Sequence, residues 1–293
     1  MIQVVAPGFQ TTVQDLGRYG YGHLGVSASG AADAFSLRAA NLLVGNPEGA
    51  AALEMTLVGG TFVFERDAVA ALAGSDFGVD HPMWEPFEIR AGEALRCGAT
   101  RSGARCYLAV RGGVDVPLVM GSASTHLMTA LGGLAGRALR KGDVLPIGNA
   151  AVRPPAHTTI PPPAMQSALR VTAGPQAEFF GRDFYDVEWG VTEESNRMGL
   201  RLRGPALEAH SGRMLTEGVS LGAVQVPPDG QPIILFVEHQ TTGGYPKIAN
   251  VISADLHAVG QLRPRDRVRF DRVSIETALR FLREQEGWLR VLA

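Results

Sequence analysis

Apolar residues in this chain come in short runs separated by glycine- and proline-containing turns. Four runs have the β-branched and aromatic content of strands: "TFVFERDAVAALAG" (61–74), "CYLAVRGGVDV" (106–116), "PIILFVE" (232–238) and "RVRFDRV" (267–273). Strands at this spacing, with turns between them, favour a barrel or sandwich over alternating βαβ units. The sequence therefore predicts a mainly β fold with a few helices, in the β-rich α+β class.

Two segments have helical periodicity instead. In "SGAADAFSLRAANLLVG" the apolar positions 35, 39, 42 and 43 follow the i, i+4, i+7, i+8 pattern, and Gly45 closes the segment. In "SIETALRFLREQE" the apolar positions 275, 278, 279 and 282 share one face, and Ser274 precedes them as a candidate N-cap. The second segment predicts a C-terminal amphipathic helix.

Residues 150–168 contain five prolines and almost no periodicity, which is typical of an extended linker. We therefore predict an N-terminal β-rich lobe (1–150), a proline-rich linker (151–168) and a C-terminal β-rich lobe with the terminal helix (169–293). The two lobes have weak internal similarity. Residues 53–76 align with 215–240, and residues 90–98 align with 263–271.

Composition and charge narrow the class of protein. The chain is 45% hydrophobic and 19% charged, with a net charge of −2, so it predicts a compact soluble protein with no polyanion-binding face and no nucleic-acid partner. It shows no signal peptide and no membrane-spanning run, which predicts a cytoplasmic protein without a membrane partner. Cys97 and Cys106 have neither the number nor the spacing of a CxxC site, and we expect buried free thiols.

Standard catalytic motifs are missing from the sequence. Neither lysine of the chain, Lys141 or Lys247, stands in the Gly-Lys-Ser/Thr context of a phosphate-binding loop. The stretch "GVSASG" (25–30) differs from a nucleophile elbow at Ser29. The seven histidines are dispersed without an HxxxH pair, so no metal site is expected, and a biotin-attachment tripeptide is absent.

Two polar, glycine-bearing stretches hold candidate anion-binding groups. Arg18 and Asp15 lie in "QDLGRYG", where a guanidinium and backbone N–H groups would bind a carboxylate or phosphate; the alternative is that the two side chains pair to hold the loop. Asn196 and Arg197 precede the alternating "LRLRG", and such a position can present a planar donor fork at a strand entrance. A surface salt bridge is the alternative for Arg197.

The stretch 222–256 holds the other candidates. Gln225 lies in "QVPPDGQP", although the prolines and glycine of a rigid turn would by themselves explain that motif. In "HQTTGGYPKIAN" (239–250) the candidate binding residues are Gln240, Thr241, Thr242 and Tyr245, beside Lys247. A lysine in a glycine-lined pocket can bind phosphate or stabilise negative charge on an amide oxygen, whereas the alternative is a solvated turn lysine. Lys247 and Arg197 are the predicted catalytic residues.

Several strings, taken in order, resemble one known family. They are "QDLGR" (14–18), "SGAAD" (29–33), "LVGN" (43–46), "GGV" with "GSAST" (112–125), "GRALRKGD" (136–143), "NRMG" (196–199), "QVPPDGQP" (225–232), "QTTGGYPKIA" (240–249) and "QLRPRDRVRF" (261–270). Together they resemble the family of the 5-oxoprolinase C subunit (PxpC), KipA and allophanate-hydrolase-subunit-2-like proteins. That family includes the second half of the carboxyltransferase domain of urea amidolyase. This chain departs from the family pattern at two points. The aspartate that the family commonly has near His239 is missing, and "RPRD" stands at 263–266, where the family commonly has "RPGD".

The resemblance implies a cyclophilin-like β-barrel and a multi-subunit enzyme. Its members work with a KipI-like B subunit and a large A subunit in an ATP-dependent 5-oxoprolinase, which hydrolyses 5-oxoproline to L-glutamate. ATP is implied at the level of the complex, and this chain is expected to be inactive alone.

Two alternatives stay open at this point. The first is a carboxyltransferase component of a biotin-dependent urea or amide carboxylase, with biotin carried by another protein. The second is a KipA-type regulatory protein that binds a KipI-like kinase inhibitor and needs no catalytic residues.

Overall fold

The computed structural model describes residues 1–149, 159–163, 168–181, 183–209 and 214–290. These residues form two compact units. Unit 1 comprises the described residues within 1–18, 29–163 and 287–293, and unit 2 comprises those within 19–28 and 164–286. The units therefore differ from the predicted lobes, since residues 19–28 belong to unit 2. Most of the predicted linker lies outside the described residues, and its role stays a prediction.

Unit 1 is built on two antiparallel sheets. Its elements are β1 (Ile2–Ala6), β2 (Gln10–Gln14), α1 (Ala34–Leu43), β3 (Ala52–Thr56), β4 (Thr61–Phe64), β5 (Ala68–Gly74), β6 (Pro86–Ile89), β7 (Ala94–Arg96), β8 (Arg105–Val110) and β9 (Val144–Leu145). The sheet orders are β2-β3-β8-β5-β6 and β7-β4-β1-β9. The run predicted as one strand over 61–74 is two strands, because the charged residues 65–67 form a bend between β4 and β5.

The predicted helix over 29–45 is confirmed as α1. Asp33 caps it, since its carboxylate accepts hydrogen bonds from the Ser36 backbone N–H (2.9 Å) and hydroxyl (2.6 Å). Gly45 follows the last turn with φ of +76°, a conformation that favours glycine. The helix is buried on almost every face and packs on β5 and β8. It therefore forms part of the core of unit 1.

Unit 2 contains one eight-stranded sheet and a separate two-stranded ribbon. Its elements are β10 (Leu169–Ala173), α2 (Asp183–Asp186), β11 (Trp189–Val191), β12 (Gly199–Arg203), β13 (Glu217–Gly218), β14 (Ala223–Gln225), β15 (Ile233–Leu235), β16 (Thr242–Gly243), β17 (Lys247–Val251), α3 (Leu256–Gln261), β18 (Arg267–Val268), β19 (Phe270–Arg272) and α4 (Ile275–Arg290). The strand predicted over 232–238 is shorter than expected and ends at Leu235. The predicted C-terminal helix is confirmed as α4.

The eight-stranded sheet is a nearly closed barrel. Its order is β18-β11-β12-β15-β14-β17-β10-β19, and Arg269 alone separates the two outermost strands along the chain. Trp189 and Phe270 are fully buried among its side chains, and Phe184 stacks on Phe270 at 4.5 Å between ring centroids. The predicted mainly β fold is thus confirmed. No helix in the described chain is long and apolar enough to cross a membrane.

Candidate functional site

The segment after β15 crosses to the start of β17 and forms the ribbon on its way. In that ribbon β16 pairs with β13, so that Gly243 lies opposite Glu217 and Thr242 lies opposite Gly218. The backbone carbonyl of Thr241 accepts a hydrogen bond from the Val219 N–H at 3.1 Å. The segment is therefore both a strand connection and one side of a polar cluster, which consists of Gln176, Glu217, Gln225, Gln240 and Lys247.

Lys247 is the cation of this polar cluster, and it is buried. Its side chain is 5% exposed, although lysines on turns are usually solvated. Its ammonium group donates to the carboxylate of Glu217, and its backbone N–H donates to the Gln176 Oε1 at 3.0 Å. The hydrogen bond from Lys247, followed by one from Gln176, lowers the pKa of Glu217. The solvated-turn alternative for Lys247 is therefore wrong.

Gln225 belongs to the same polar cluster. It lies on the neighbouring strand, opposite Lys247 in the register of β14 and β17. Its side chain is 1% exposed, and its Oε1 accepts a hydrogen bond from the Gln240 Nε2 at 3.2 Å. Within the described part of the chain its Nε2 has no hydrogen-bond partner. A Cβ atom at position 243 would lie 2.6 Å from that Nε2, so Gly243 allows the ribbon to approach the Gln225 amide.

The remaining candidates of this segment lie nearer the surface. Thr242 and Tyr245 are exposed, and Thr241 is partly buried. His239 donates from Nδ1 to the Gln240 backbone carbonyl at 2.6 Å, and burial lowers its pKa, so the ring is neutral at pH 7. Gln225, Gln240 and Lys247 therefore belong to the polar cluster, whereas Thr242 and Tyr245 lie at the surface beside it.

Arg197 belongs to a separate buried ion pair. Its Nε donates to the Glu238 Oε1 at 2.5 Å, and the two side chains are 7% and 2% exposed. The alternative of a surface salt bridge is therefore wrong. Asn196 is exposed, and its Oδ1 accepts the Met198 N–H at 2.8 Å in a local turn. The contact of Arg197 with Glu238 holds the entrance of β12 against the start of the segment that follows β15.

Asp15 and Arg18 lie in unit 1 and hold one loop. The Asp15 carboxylate accepts hydrogen bonds from the Gly17 N–H, the Ser122 and Ser124 hydroxyls and the Ala123 N–H. Arg18 is 2% exposed and donates to the backbone carbonyls of Val119 and Ser124. Both side chains therefore bind the segment 119–124, which explains why "QDLGR" and "GSAST" occur together.

The partners of the buried cations could not be predicted from the sequence. Glu217, Gln176 and Glu238 were not singled out, because nothing in the local pattern separates them from solvated polar residues. Glu217 is 30 residues and Gln176 is 71 residues from Lys247 along the chain. The signals at this site were the glycine-bearing string "QTTGGYPKIA" around Lys247 and the rarity of lysine, two among 27 basic residues.

Comparison with known proteins decides the family. The sequence profile of the family described as "Carboxyltransferase domain, subdomain A and B" matches residues 24–272. The chain belongs to this family. The resemblance predicted from the ordered strings is therefore confirmed.

Two kinds of relative share the family with this chain. It is 40% identical to the C subunit of 5-oxoprolinase from Escherichia coli and 37% identical to that from Haemophilus influenzae, with 98% and 96% of those relatives covered. It is 34% identical to urea amidolyase of Lachancea kluyveri but spans 18% of that protein.

Solved structures give the same picture. The urea carboxylase and the urea amidolyase of Kluyveromyces lactis each match all of this chain with a TM-score of 0.92 and 32% identity. The chain spans 29% of the first and 20% of the second.

Proposed function

We propose that this chain is the C subunit of an ATP-dependent 5-oxoprolinase, which opens the lactam of 5-oxoproline to give L-glutamate together with the A and B subunits in the cytoplasm. The observation that carries the proposal is the end-to-end relationship to the E. coli 5-oxoprolinase C subunit, in which 100% of this chain aligns with 98% of the relative.

The polar cluster around Lys247 supports a role for this chain in the chemistry. Hydrolysis of a lactam breaks its C–N bond, adds water oxygen to the carbonyl carbon and leaves a proton on nitrogen, and negative charge develops on the carbonyl oxygen. The Gln225 Nε2 is a buried donor of the kind that stabilises such charge, and Lys247 is a buried cation that would bind the negatively charged substrate. ATP would supply a phosphoryl group to the lactam oxygen. Addition of water to the carbon and cleavage of the C–N bond would then leave an acyl phosphate, from which a second water would release phosphate and the carboxylate.

The other candidate residues receive supporting roles in this proposal. Gln240 orients the Gln225 amide, and Thr241, Thr242 and Tyr245 form the exposed edge past which a substrate enters. The geometry favours a positioning role for Arg197 over the catalytic role expected from the sequence, because its Nε is bound to Glu238. Asn196, Asp15 and Arg18 shape loops by the contacts described above.

A second function is favoured by one specific observation. The K. lactis urea carboxylase matches every part of this chain at a TM-score of 0.92, so the fold is also that of a carboxyltransferase domain. In that case the polar cluster would bind an amide substrate beside carboxylated biotin carried by another protein. The Gln225 donor would serve either reaction, since both act on an amide-like carbonyl.

The test is reconstitution with the purified A and B subunits. We expect 5-oxoproline-dependent ATP hydrolysis and glutamate release that disappear when this chain is left out. Lys247→Met should lower glutamate release at least about 100-fold, the usual loss when one charge-stabilising donor is removed. Lys141→Met is the matched control, because Lys141 is exposed and is the other lysine of the chain.

Two results would count against the proposal. Full turnover by the Lys247→Met variant would remove Lys247 from the chemistry. An assembled complex without 5-oxoproline turnover would favour the carboxyltransferase role if a biotinylated partner co-purifies. It would favour the KipA-type regulatory role if the chain instead relieves inhibition by its KipI-like partner.

A further inference from the structure

The ligand of the buried Lys247 ammonium is a carboxylate that belongs to an exposed side chain. Glu217 is 43% exposed, whereas Lys247 is 5% exposed. The same Oε1 atom of Glu217 also accepts a hydrogen bond from the Gln176 Nε2 at 3.1 Å. Lys247 and Gln176 thus form a two-donor carboxylate site that an internal carboxylate fills.

Glu217 can leave this site without disturbing the barrel. It lies on β13, and the ribbon of β13 and β16 contains only two residue pairs and is separate from the eight-stranded sheet. Rotation of a half-exposed glutamate side chain into water keeps its charge solvated. The internal carboxylate is therefore held mainly by the Lys247 ammonium and the Gln176 amide.

A third hydrogen-bond donor, the Gln225 Nε2, lies beside the ribbon residue that is opposite Glu217. Gly243 is the ribbon residue opposite Glu217, and its Cα faces the Gln225 Nε2, which is buried and has no partner within the described part of the chain. Once Glu217 turns out, Lys247, Gln176 and Gln225 present donors alone. Such a set is complementary to a ligand that carries a carboxylate next to a carbonyl acceptor.

We propose that Lys247 and Gln176 form the carboxylate subsite of this protein, and that Glu217 occupies it as an internal competitor that a ligand must displace. The ligand class is a small cyclic amide with a carboxylate. Naming it 5-oxoproline rests on the proposed function, since urea has no carboxylate. A competitor that fills the site most of the time weakens the apparent affinity by the fraction of time that the site is open.

The experiment uses the fact that the chain has two lysines. Biosynthetic ¹³C-lysine labelling gives two ε-methylene NMR signals, and Lys141→Arg identifies the signal of Lys247. The full-length chain is titrated with L-5-oxoproline, with glutarate as a generic carboxylate, and with 2-pyrrolidinone, which is the lactam without the carboxylate. Wild type is compared with Glu217→Gln and with Glu217→Ala. The matched control is Glu193→Gln, which alters an exposed glutamate of unit 2 paired with Arg265.

We expect both Glu217 variants to bind L-5-oxoproline at least about tenfold more tightly than wild type, since removing the competitor removes its occupancy. The response to 2-pyrrolidinone and the behaviour of Glu193→Gln should not change. Gln176→Leu placed in the Glu217→Gln background should reverse the gain. Equal affinities in wild type and in both folded Glu217 variants would overturn the proposal. So would an equal gain for 2-pyrrolidinone.

The outcomes separate this proposal from the proposed function. If glutarate shifts the Lys247 signal more readily in the Glu217 variants but L-5-oxoproline never does, the carboxylate subsite stands and the 5-oxoproline assignment fails. If the reconstituted complex hydrolyses 5-oxoproline and neither Glu217 variant gains affinity, the function stands and the subsite fails.

Discussion

The buried pair of Arg197 and Glu238 gives the sharpest test of how burial sets the energy of an ion pair in this protein. Glu238→Gln keeps the size of the side chain and an acceptor oxygen, but it removes the negative charge. The Arg197 guanidinium, 7% exposed, then stays in the interior opposite a neutral amide. Removing the charge of one partner in a buried pair is strongly destabilising, because the desolvated charge of the other is no longer compensated.

The magnitude follows from the exposure of the two side chains. Breaking a pair buried to this degree costs about 3–5 kcal/mol of stability. Because Glu238→Gln retains an acceptor oxygen, we expect its cost at the lower end, about 3 kcal/mol. The matched control is Glu193→Gln, whose pair with Arg265 has side chains 69% and 86% exposed. An ion pair that exposed contributes about 0–1 kcal/mol.

The measurement is urea unfolding of each variant, followed by circular dichroism and by tryptophan fluorescence, to which the buried Trp189 of unit 2 contributes. We expect Glu238→Gln to lower the free energy of unfolding by at least about 2 kcal/mol more than Glu193→Gln. A double variant, Arg197→Met with Glu238→Leu, should be more stable than Glu238→Gln, because it removes both charges of the pair. Equal losses in Glu238→Gln and Glu193→Gln would refute the reasoning.

Three further predictions concern other positions. Gly243→Ala places a Cβ 2.6 Å from the Gln225 Nε2. We therefore expect glutamate release to fall at least about tenfold, with little change in melting temperature. Unchanged release would show that the Gln225 amide can move aside without loss of activity. Arg265 has φ of +76°, so Arg265→Gly should melt at or above the wild-type temperature, and Arg265→Val should melt below it; the reverse order would contradict this conformation. Burial raises the pKa of the Cys97 thiol from 9.0 to about 12, so above pH 9 the unfolded thiol loses a proton that the folded thiol keeps. Stability should therefore fall as the pH rises from about 9 to about 12, more steeply in wild type than in Cys97→Ala, as measured by urea unfolding at stepped pH; parallel slopes would contradict it.

The departure from the family pattern at 263–266 shows how sequence and backbone geometry meet. The strings of this chain match the family except that arginine stands at position 265, where glycine is common. The structure places Arg265 in the left-handed region, which glycine adopts without strain. The string resemblance could identify the turn, but it could not show that this arginine carries the conformational cost.

Local patterns predicted the elements whose signals lie within one short segment. The periodicity of positions 35–43 and the closing Gly45 belong to one helix, and the mainly β class followed from short apolar runs between turns. The ends of strands were less well predicted, as at Leu235, because a strand ends where its partner does and not where its apolar run does.

The fold class, the family and the candidacy of Lys247 and Gln225 could all be predicted from the sequence, because they depend on composition, periodicity and ordered strings. The burial of Lys247, its contacts with Glu217 and Gln176, and the pairing of Arg197 with Glu238 could be learned only from the folded chain. Those contacts join residues 30 to 71 positions apart, and the tertiary fold, which no local pattern encodes, brings them together. The burial of Lys247, Arg197 and Glu238 is likewise a property of the folded chain alone.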